Sequence, residues 1–322
     1  MRVRPRYFIF VLIAVLPLTG CLFRSHDVQK PFSTAALKSA SLEQLVEGIN
    51  SSASRLQSLK ATVDIDTSVT KQKKGKANDY KVTDNPQISG WVLVRKPEML
   101  RLIGLVPVVR TTMFDMVSNG KSFELSIPVQ NKFIVGKNQI SKPSPQPLEN
   151  LRPQHIFDAL LLKPIDPQNE IAVLEQNTEI VKDPKSHKDV EQPDYEVLVI
   201  RKEDNTWYLS RDIFFNRVDL LPHRQLIYNR DGQVTTDAHY ENFTELSGVQ
   251  FPSIIQIQRP IENYWIQLSV LKDKLHLNEP LKDDQFALSR PSGSQFINLD
   301  QKNGNTTALI GQPSQDKPKP QQ

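Results

Sequence analysis

Residues 170–272 form a long series of segments in which apolar and polar residues alternate, and short turns join these segments. In the last segment, Tyr264, Ile266, Leu268 and Val270 occupy every second position. A period of two indicates β-strands with one buried face, because successive side chains of a strand point to opposite faces. Long strands with short turns and no helices between them predict an antiparallel meander. The predicted strands are residues 170–181, 195–201, 206–216, 223–228, 235–243, 251–259 and 264–272.

The first half of the chain predicts one helix followed by more strands. Ser41 and Gln44 have the spacing of a capping box, and apolar residues then recur three and four positions apart, which indicates an amphipathic helix over residues 41–56. From Ala61 the period changes to two. Asn119-Gly120 predicts a tight hairpin, because both residues tolerate positive φ. The strands predicted here are residues 61–69, 88–95, 99–103, 112–118, 121–127 and 133–135.

These elements predict a mainly β fold with some α (α+β). A second, short apolar helix is expected over residues 153–162. A sheet of about ten or eleven strands must curl, split or close, so we expect a curved antiparallel half-barrel with two lid or plug helices. Its interior either is an ordinary packed core or accepts acyl chains. The residues expected to line it are Val63, Ile65, Leu93, Leu102, Ile255, Ile257, Ile266, Leu268 and Val270.

The N-terminus has the form of a secretory signal. Arg2, Arg4 and Arg6 precede an apolar run, residues 8–18, that is about half the length needed to cross a bilayer. The run ends at Leu18, Thr19, Gly20 and Cys21, and Cys21 is the only cysteine, which excludes an internal disulfide and a four-cysteine zinc site.

Leu18-Thr19-Gly20-Cys21 resembles the lipobox of bacterial lipoproteins. The resemblance implies a diacylglycerol on the Cys21 thiol, cleavage after Gly20 and an N-acyl chain on the new terminus; no other cofactor is expected. The alternative is an uncleaved anchor whose last turn contains a buried cysteine. Leu22, rather than Asp, follows the cysteine, which favours the outer membrane over the inner by the sorting rule of enterobacteria.

The domain organisation follows from these features. Residues 1–20 are predicted to be a lipoprotein signal peptide, 21–40 a lipidated flexible tether, 41–300 the half-barrel domain and 301–322 a disordered polar tail. The formal charge of +4 includes the three leader arginines, so the remaining chain is close to neutral. It has no basic stripe of the kind that binds nucleic acid. The short basic cluster at residues 71–76 is expected to be a solvated loop, with a phosphate or lipid-headgroup contact as the alternative.

Several stretches resemble the LolA/LolB superfamily of lipoprotein carriers and receptors. They include residues 59–63, 90–97, 100–102, 214–217, 221–222, 227–232 and 277–286. The resemblance implies an unclosed β-barrel with helices as a lid, a hydrophobic cavity for lipid or lipoprotein acyl chains, and a periplasmic carrier protein as a partner. This chain is longer than the familiar carrier and receptor, with extra sequence around residues 168–194.

The resemblance also implies an apolar loop that inserts into the membrane. The corresponding residues are Leu105, Val106, Pro107 and Val108, between two predicted strands. A hairpin tip is normally polar, so an apolar tip requires an explanation. The alternative is that these side chains tuck under the lid or continue the strands.

The sequence predicts a protein that is not an enzyme. Its six histidines have no metal-ligand spacing, and it has no nucleophile elbow, phosphate loop or dinucleotide fingerprint, so no catalytic or metal residues are assigned. Asp64 and Asp66 are expected to be the solvent-facing partners of Val63 and Ile65. The alternative to a lipid carrier is a structural or scaffold lipoprotein whose barrel is filled by its own side chains.

Replacing Cys21 by serine tests the lipid anchor. We expect Cys21→Ser to accumulate as an uncleaved precursor without lipid, because serine lacks the thiol that forms the thioether. Intact-mass measurement of the membrane fraction detects both changes. Normal cleavage and membrane retention of the variant would contradict the lipobox interpretation.

Overall fold

The computed structural model describes residues 36–72, 80–139, 152–182 and 187–302. The predicted signal peptide, the lipobox, Cys21 and most of the C-terminal tail lie outside these residues, as does most of the basic cluster at 71–76. Within the described ranges, no helix has the length and apolar character needed to span a membrane.

The described residues form three α-helices and fifteen β-strands. The helices are α1 (Leu42–Arg55), α2 (Pro153–Leu160) and α3 (Leu299–Lys302). The strands are β1 (Ser58–Gln72), β2 (Tyr80–Asp84), β3 (Ile88–Arg95), β4 (Met99–Leu105), β5 (Thr112–Ser118), β6 (Ser122–Ile127), β7 (Lys132–Lys137), β8 (Glu170–Lys182), β9 (Asp189–Glu203), β10 (Thr206–Asn216), β11 (Pro222–Tyr228), β12 (Val234–Leu246), β13 (Val249–Arg259), β14 (Tyr264–Leu277) and β15 (Gln295–Asn298). Short 3-10 helices cover Pro128–Gln130 and Asp283–Phe286.

All fifteen strands belong to one open, curved sheet. Its order is β15-β7-β6-β5-β4-β3-β1-β14-β13-β12-β11-β10-β9-β8, and β2 pairs with the far end of β1. Every pairing is antiparallel except that of β15 with β7, which is parallel. The predicted fold class, a mainly β antiparallel half-barrel with few helices, is therefore confirmed.

The predicted number of strands, ten or eleven, was too low. The extra sequence around residues 168–194 contains all of β8, which was predicted, and the start of β9, which begins at Asp189 and not at residue 195; β8 pairs with β9 along its whole length. β2 has no buried residue and β15 has only four residues, so neither has an apolar pattern that sequence analysis can detect.

The first helix begins at the predicted capping box. The Ser41 N–H donates to Gln44 Oε1 at 2.9 Å, and the Gln44 N–H donates to Ser41 Oγ at 3.4 Å. Leu45, Ile49 and Ala53 then form the buried stripe of α1. These contacts satisfy two backbone donors that a helix otherwise leaves free at its start.

The residues before α1 are attached to the sheet. The Lys38 N–H donates to the Arg217 carbonyl at 2.7 Å, and the Ala40 N–H donates to the Tyr195 hydroxyl at 3.3 Å. Residues 36–40, the end of the predicted tether, thus follow the sheet before the helix begins.

Both longer helices lie on the same face of the sheet, which is the concave face. α1 packs on Tyr195, Val197 and Ile213 of β9 and β10. α2 packs on the larger apolar cluster formed by β1, β3, β4, β13 and β14. The concave face is therefore divided between two helices that cover different parts of it.

A pair of glycines allows close packing at β3 and β4. Gly90 lies opposite Gly104 in the register of the two strands. A Cβ on Gly90 would lie 2.0 Å from the Ile103 carbonyl oxygen, and one on Gly104 would lie 2.3 Å from the Phe114 ring. Only glycine allows this close approach of backbone and ring.

Candidate functional site

The concave face brings together most of the residues predicted to line an interior. They are buried in one apolar cluster, into which Ile156, Phe157 and Leu160 of α2 also pack. The predicted residues in this cluster are Val63, Ile65, Leu102, Ile255, Ile257, Ile266, Leu268 and Val270. The strand order explains the result, because β1, β13 and β14 are neighbours and their inward-facing residues are directly paired.

Leu93 is the exception and requires a correction. It lies on the opposite, convex face of the sheet, in a small cluster with Leu281 and Phe286. Val92 and Val94 are the residues of β3 that face the interior. The run from Val92 to Val94 is continuously apolar, so periodicity did not distinguish its two faces.

The interior contains a small apolar pocket where the C-terminal ends of α1 and α2 meet. Its volume is about 80 Å³. The lining residues Leu56, Leu160, Leu161, Tyr240 and Phe251 are also members of the main core cluster. The partly buried Leu162 and Phe243 lie at the same pocket. The pocket is therefore an extension of the core, and side chains fill the space around it.

One cationic side chain reaches this apolar pocket. Lys96, which follows β3, is the lining residue with a formal charge, and its Nζ donates to the Ala53 carbonyl of α1. Burial lowers the pKa of Lys96. An amine beside apolar walls can pair with one anionic group at the end of an apolar ligand.

The predicted membrane loop is partly buried and partly exposed. Leu105 is buried at the end of β4, and Val106 is half-buried. Pro107 is exposed, and Val108 and Val109 are 97% and 66% exposed. Val108 has a φ of 69°, which is strained for a β-branched residue. The tip thus presents apolar side chains to solvent, while Leu105 supports it from the core.

Sequence analysis missed a group of titratable residues on the convex face. Ligand-type atoms of Glu179, Asp194 and His223 lie within 4.8 Å of one another. His223 Nε2 lies 2.9 Å from Asp194 Oδ2, and Glu179 is paired with Arg224 at 3.0 Å. These residues come from β8, β9 and β11, so their spacing along the chain gave no indication of the cluster.

Another carboxyl group on this face, that of Asp212, has a raised pKa. Burial, followed by the neighbouring Glu196 carboxyl, raises the pKa of Asp212 from its ordinary value of 3.8 to about 8. Asp212 is almost fully buried, and its Oδ1 has no hydrogen-bond partner among the described residues. A buried acid with a carboxylate beside it retains its proton, because ionisation there is costly.

Asp64 and Asp66 lie on the convex face, where they accept hydrogen bonds from neighbouring β3 and its preceding turn. Asp64 Oδ1 accepts from Ser89 Oγ at 2.7 Å, and Asp66 Oδ2 accepts from Gln87 Nε2 at 2.9 Å. Each carboxylate thus has its own polar partner beside it on the sheet.

Solved structures with a similar arrangement include three bacterial proteins. A LolA superfamily protein, NE2245, from Nitrosomonas europaea is 15% identical, with 76% of this chain and 97% of that chain covered and a TM-score of 0.43. A DUF1329 family protein from Desulfovibrio piger is 13% identical, with 76% of this chain and 94% of that chain covered and a TM-score of 0.47. An outer membrane lipoprotein-sorting protein domain from Vibrio parahaemolyticus is 12% identical, with 75% of this chain and 95% of that chain covered and a TM-score of 0.42. Comparison with protein-family models gave no match, and comparison with curated proteins gave none. The chain's own sheet is open, and its two longer helices lie on the concave face, as the sequence analysis expected of a half-barrel.

The raised pKa of Asp212 predicts how stability depends on pH. Between about pH 4 and pH 8 the folded protein retains a proton that the unfolded chain has released, so the free energy of unfolding falls as pH rises through this range. Asp212→Asn cannot ionise and removes this dependence. We expect the variant to be more stable than the wild type at pH 8 and of similar stability at pH 4, measured by urea unfolding. The exposed Asp273→Asn should retain the wild-type slope, and an unchanged slope in Asp212→Asn would refute the assignment.

Proposed function

We propose that this protein binds the acyl chains of lipids or lipoproteins on the concave face of its sheet, beneath α2. The supporting observation is the apolar pocket between α1 and α2, which shares Leu56, Leu160 and Phe251 with the core. An acyl chain that enters there meets a continuous apolar surface. Each methylene transferred from water to that surface contributes about 0.8 kcal/mol.

Binding on this face requires α2 to move. The pocket volume of about 80 Å³ is too small for a long chain, because the side chains of Ile156, Phe157 and Leu160 occupy the space beyond it. α2 has only eight residues, so it is a small unit to displace. The acyl chain replaces one apolar surface by another, which preserves the packing of the sheet residues.

Lys96 provides a position for the head of such a ligand. Its Nζ lies at the pocket and donates to the Ala53 carbonyl. A carboxylate at the end of a fatty acid is a stronger acceptor than a carbonyl and forms a charge-assisted hydrogen bond. The geometry therefore favours chains with one anionic end.

We assign a membrane contact to the loop between β4 and β5. Val108 and Val109 are exposed at its tip, and Leu105 anchors the tip to the core. Exposed apolar side chains favour the lipid side of a membrane interface. Together with a diacylglycerol and an N-acyl chain on Cys21, this loop would hold the opening of the half-barrel near the membrane. The proposed location is the periplasmic face of the outer membrane, with a periplasmic carrier protein delivering the cargo and no enzymatic step.

Replacing Leu162 tests acyl-chain binding. Leu162 lines the pocket and is only partly buried, so Leu162→Asn should fold. An amide without partners beside an acyl chain costs about 1–3 kcal/mol, so we expect the affinity for 11-(dansylamino)undecanoic acid to fall about tenfold or more. Leu271→Asn, on an exposed part of β14, is the matched control and should bind normally. Wild-type protein that carries no extractable lipid and does not bind the probe would overturn the proposal.

Replacing Val108 tests the membrane loop separately from binding. We expect Val108→Asp to slow transfer of the bound probe to phospholipid vesicles by about tenfold, because a carboxylate at the tip opposes insertion. Its affinity for the probe should not change. Val129→Asp, at another exposed valine, is the control. Equal transfer rates for both variants would show that the tip does not contact the membrane.

A second candidate function is that of a structural or scaffold lipoprotein. The observation in its favour is that side chains fill the interior, with Val63, Ile255 and Leu268 fully buried. In that case α2 is a permanent part of the core. A wild-type protein that binds neither lipid nor probe would support this alternative.

A further inference from the structure

A large cleft lies on the polar side of α2, opposite the apolar pocket. It is a cleft of about 1010 Å³, bounded by α2, the end of β7, the β11–β12 hairpin and the β13–β14 turn. This volume is at the upper end of the range of about 300–1,000 Å³ that is typical of ligand sites. The acyl-chain proposal does not use this cleft.

Buried polar groups in fixed positions form the wall of the cleft. Arg259 and Glu262 are 4% and 6% exposed and form two hydrogen bonds of 3.1 and 2.8 Å. Arg259 also donates to Thr236 Oγ1, and Thr236 is buried as well. Buried polar groups that hold one another in place form a rigid surface for a polar ligand.

Two amide side chains in the lining have an acceptor without a donor. Asn138 Oδ1 and Gln154 Oε1 are buried and have no hydrogen-bond partner among the described residues. Their amide nitrogens are engaged, by Ser118 Oγ at 2.9 Å and by Asp158 Oδ1 at 2.8 Å. A buried acceptor without a partner costs about 1–3 kcal/mol. Both oxygens have almost no accessible surface, so a donor on a ligand recovers this cost when the two side chains rotate toward the cleft. Hydroxyl groups both donate and accept, so they satisfy these amides in either orientation.

The charges of the cleft nearly cancel. Among the residues that the structure describes, the lining contains four basic and five acidic side chains, namely Lys137, Arg152, Lys163 and Arg259 against Glu98, Asp158, Asp231, Glu262 and Asp300. Two of these pairs are joined directly, Arg259 with Glu262 at 2.8 Å and Lys163 with Asp158 at 2.9 Å. Burial and the nearby Arg259 and Arg152 lower the pKa of His155 well below its ordinary value, which keeps the imidazole neutral at pH 7. With His155 neutral, the formal charges of the described lining residues sum to −1, which is too little to select a multiply charged anion or cation.

Neutral hydrogen-bonding groups make up much of the remaining lining, including Gln139, Asn229, Gln233 and Thr235. Tyr228 adds an aromatic ring with a hydroxyl. Amides, hydroxyls and one aromatic ring match a ligand that carries many hydroxyls on an otherwise apolar ring. We infer that the cleft is a binding site for a neutral saccharide. The saccharide is either a free glycan or the sugar head of a glycolipid.

This inference is tested with the full chain in a polyoxyethylene detergent, which contains no sugar. The probes are maltotriose, chitotriose and mannotriose, with trigalacturonate as the acidic comparison, and the readouts are saturation-transfer NMR and calorimetry. We expect a neutral trimer to bind and trigalacturonate to bind more weakly. Binding by none of the neutral trimers, or preference for the acidic one, would overturn the inference.

Replacing Gln154 locates the site. We expect Gln154→Met to weaken saccharide binding by about three- to tenfold, because it removes the unpartnered amide and keeps the side-chain length. Gln256→Met, on the convex face, is the matched control and should bind as the wild type does. Equal affinity of Gln154→Met and the wild type would show that the sugar binds elsewhere.

A final comparison separates the two sources of the sugar. Equal affinities for the methyl and octyl glycosides of the bound sugar would assign the cleft to glycans themselves, and tighter binding of the octyl glycoside would assign it to glycolipid heads. Dansyl-undecanoic acid binding is recorded in parallel, so failure of saccharide binding is distinguished from failure of acyl-chain binding.

Discussion

The pairing of β1 with β14 holds the structure together. β1 is the first strand along the chain, and β14 is the last strand of the long meander. The two strands pair from Leu59 with Leu277 to Val69 with Tyr264. This contact joins β3–β7 on one side to β8–β13 on the other. Without it, the chain would form two separate sheets, and the apolar cluster that both halves share beneath α2 would be divided. The register also places Val63 beside Val270 and Ile65 beside Leu268, which begins the core beneath α2.

α2 packs on the core that begins at this pairing, and it separates two environments. Its residues Ile156, Phe157 and Leu160 are buried in the apolar cluster, whereas Gln154, His155 and Asp158 face the polar cleft. An acyl chain would occupy the first environment and a saccharide the second. A helix of eight residues between two ligand surfaces can couple them, because any movement that opens one changes the other. The two proposals thus assign opposite sides of α2 to the two halves of an amphiphilic molecule or to two separate ligands.

The sequence predicted strands well where one face is buried and poorly where no face is. β10 was predicted with its observed bounds, Thr206–Asn216, and α1 with its capping box. β2, with no buried residue, left no pattern to detect. Leu93 was placed on the wrong face because both of its neighbours are also apolar. The polar cleft and the Glu179–Asp194–His223 group could not be predicted, because each combines residues from strands that only the sheet brings together.

The sequence alone determined the secondary-structure class, the antiparallel connectivity of the long strands and the apolar stripes that become the core. These properties are local, since they depend on residues within a few positions of each other. The tertiary structure decided that the interior is filled by side chains, that Val108 and Val109 are exposed, and that Asn138 and Gln154 lie at one polar cleft. Those properties depend on which strands pair across about two hundred residues of chain and on where α2 lies, and packing, not periodicity, fixes both.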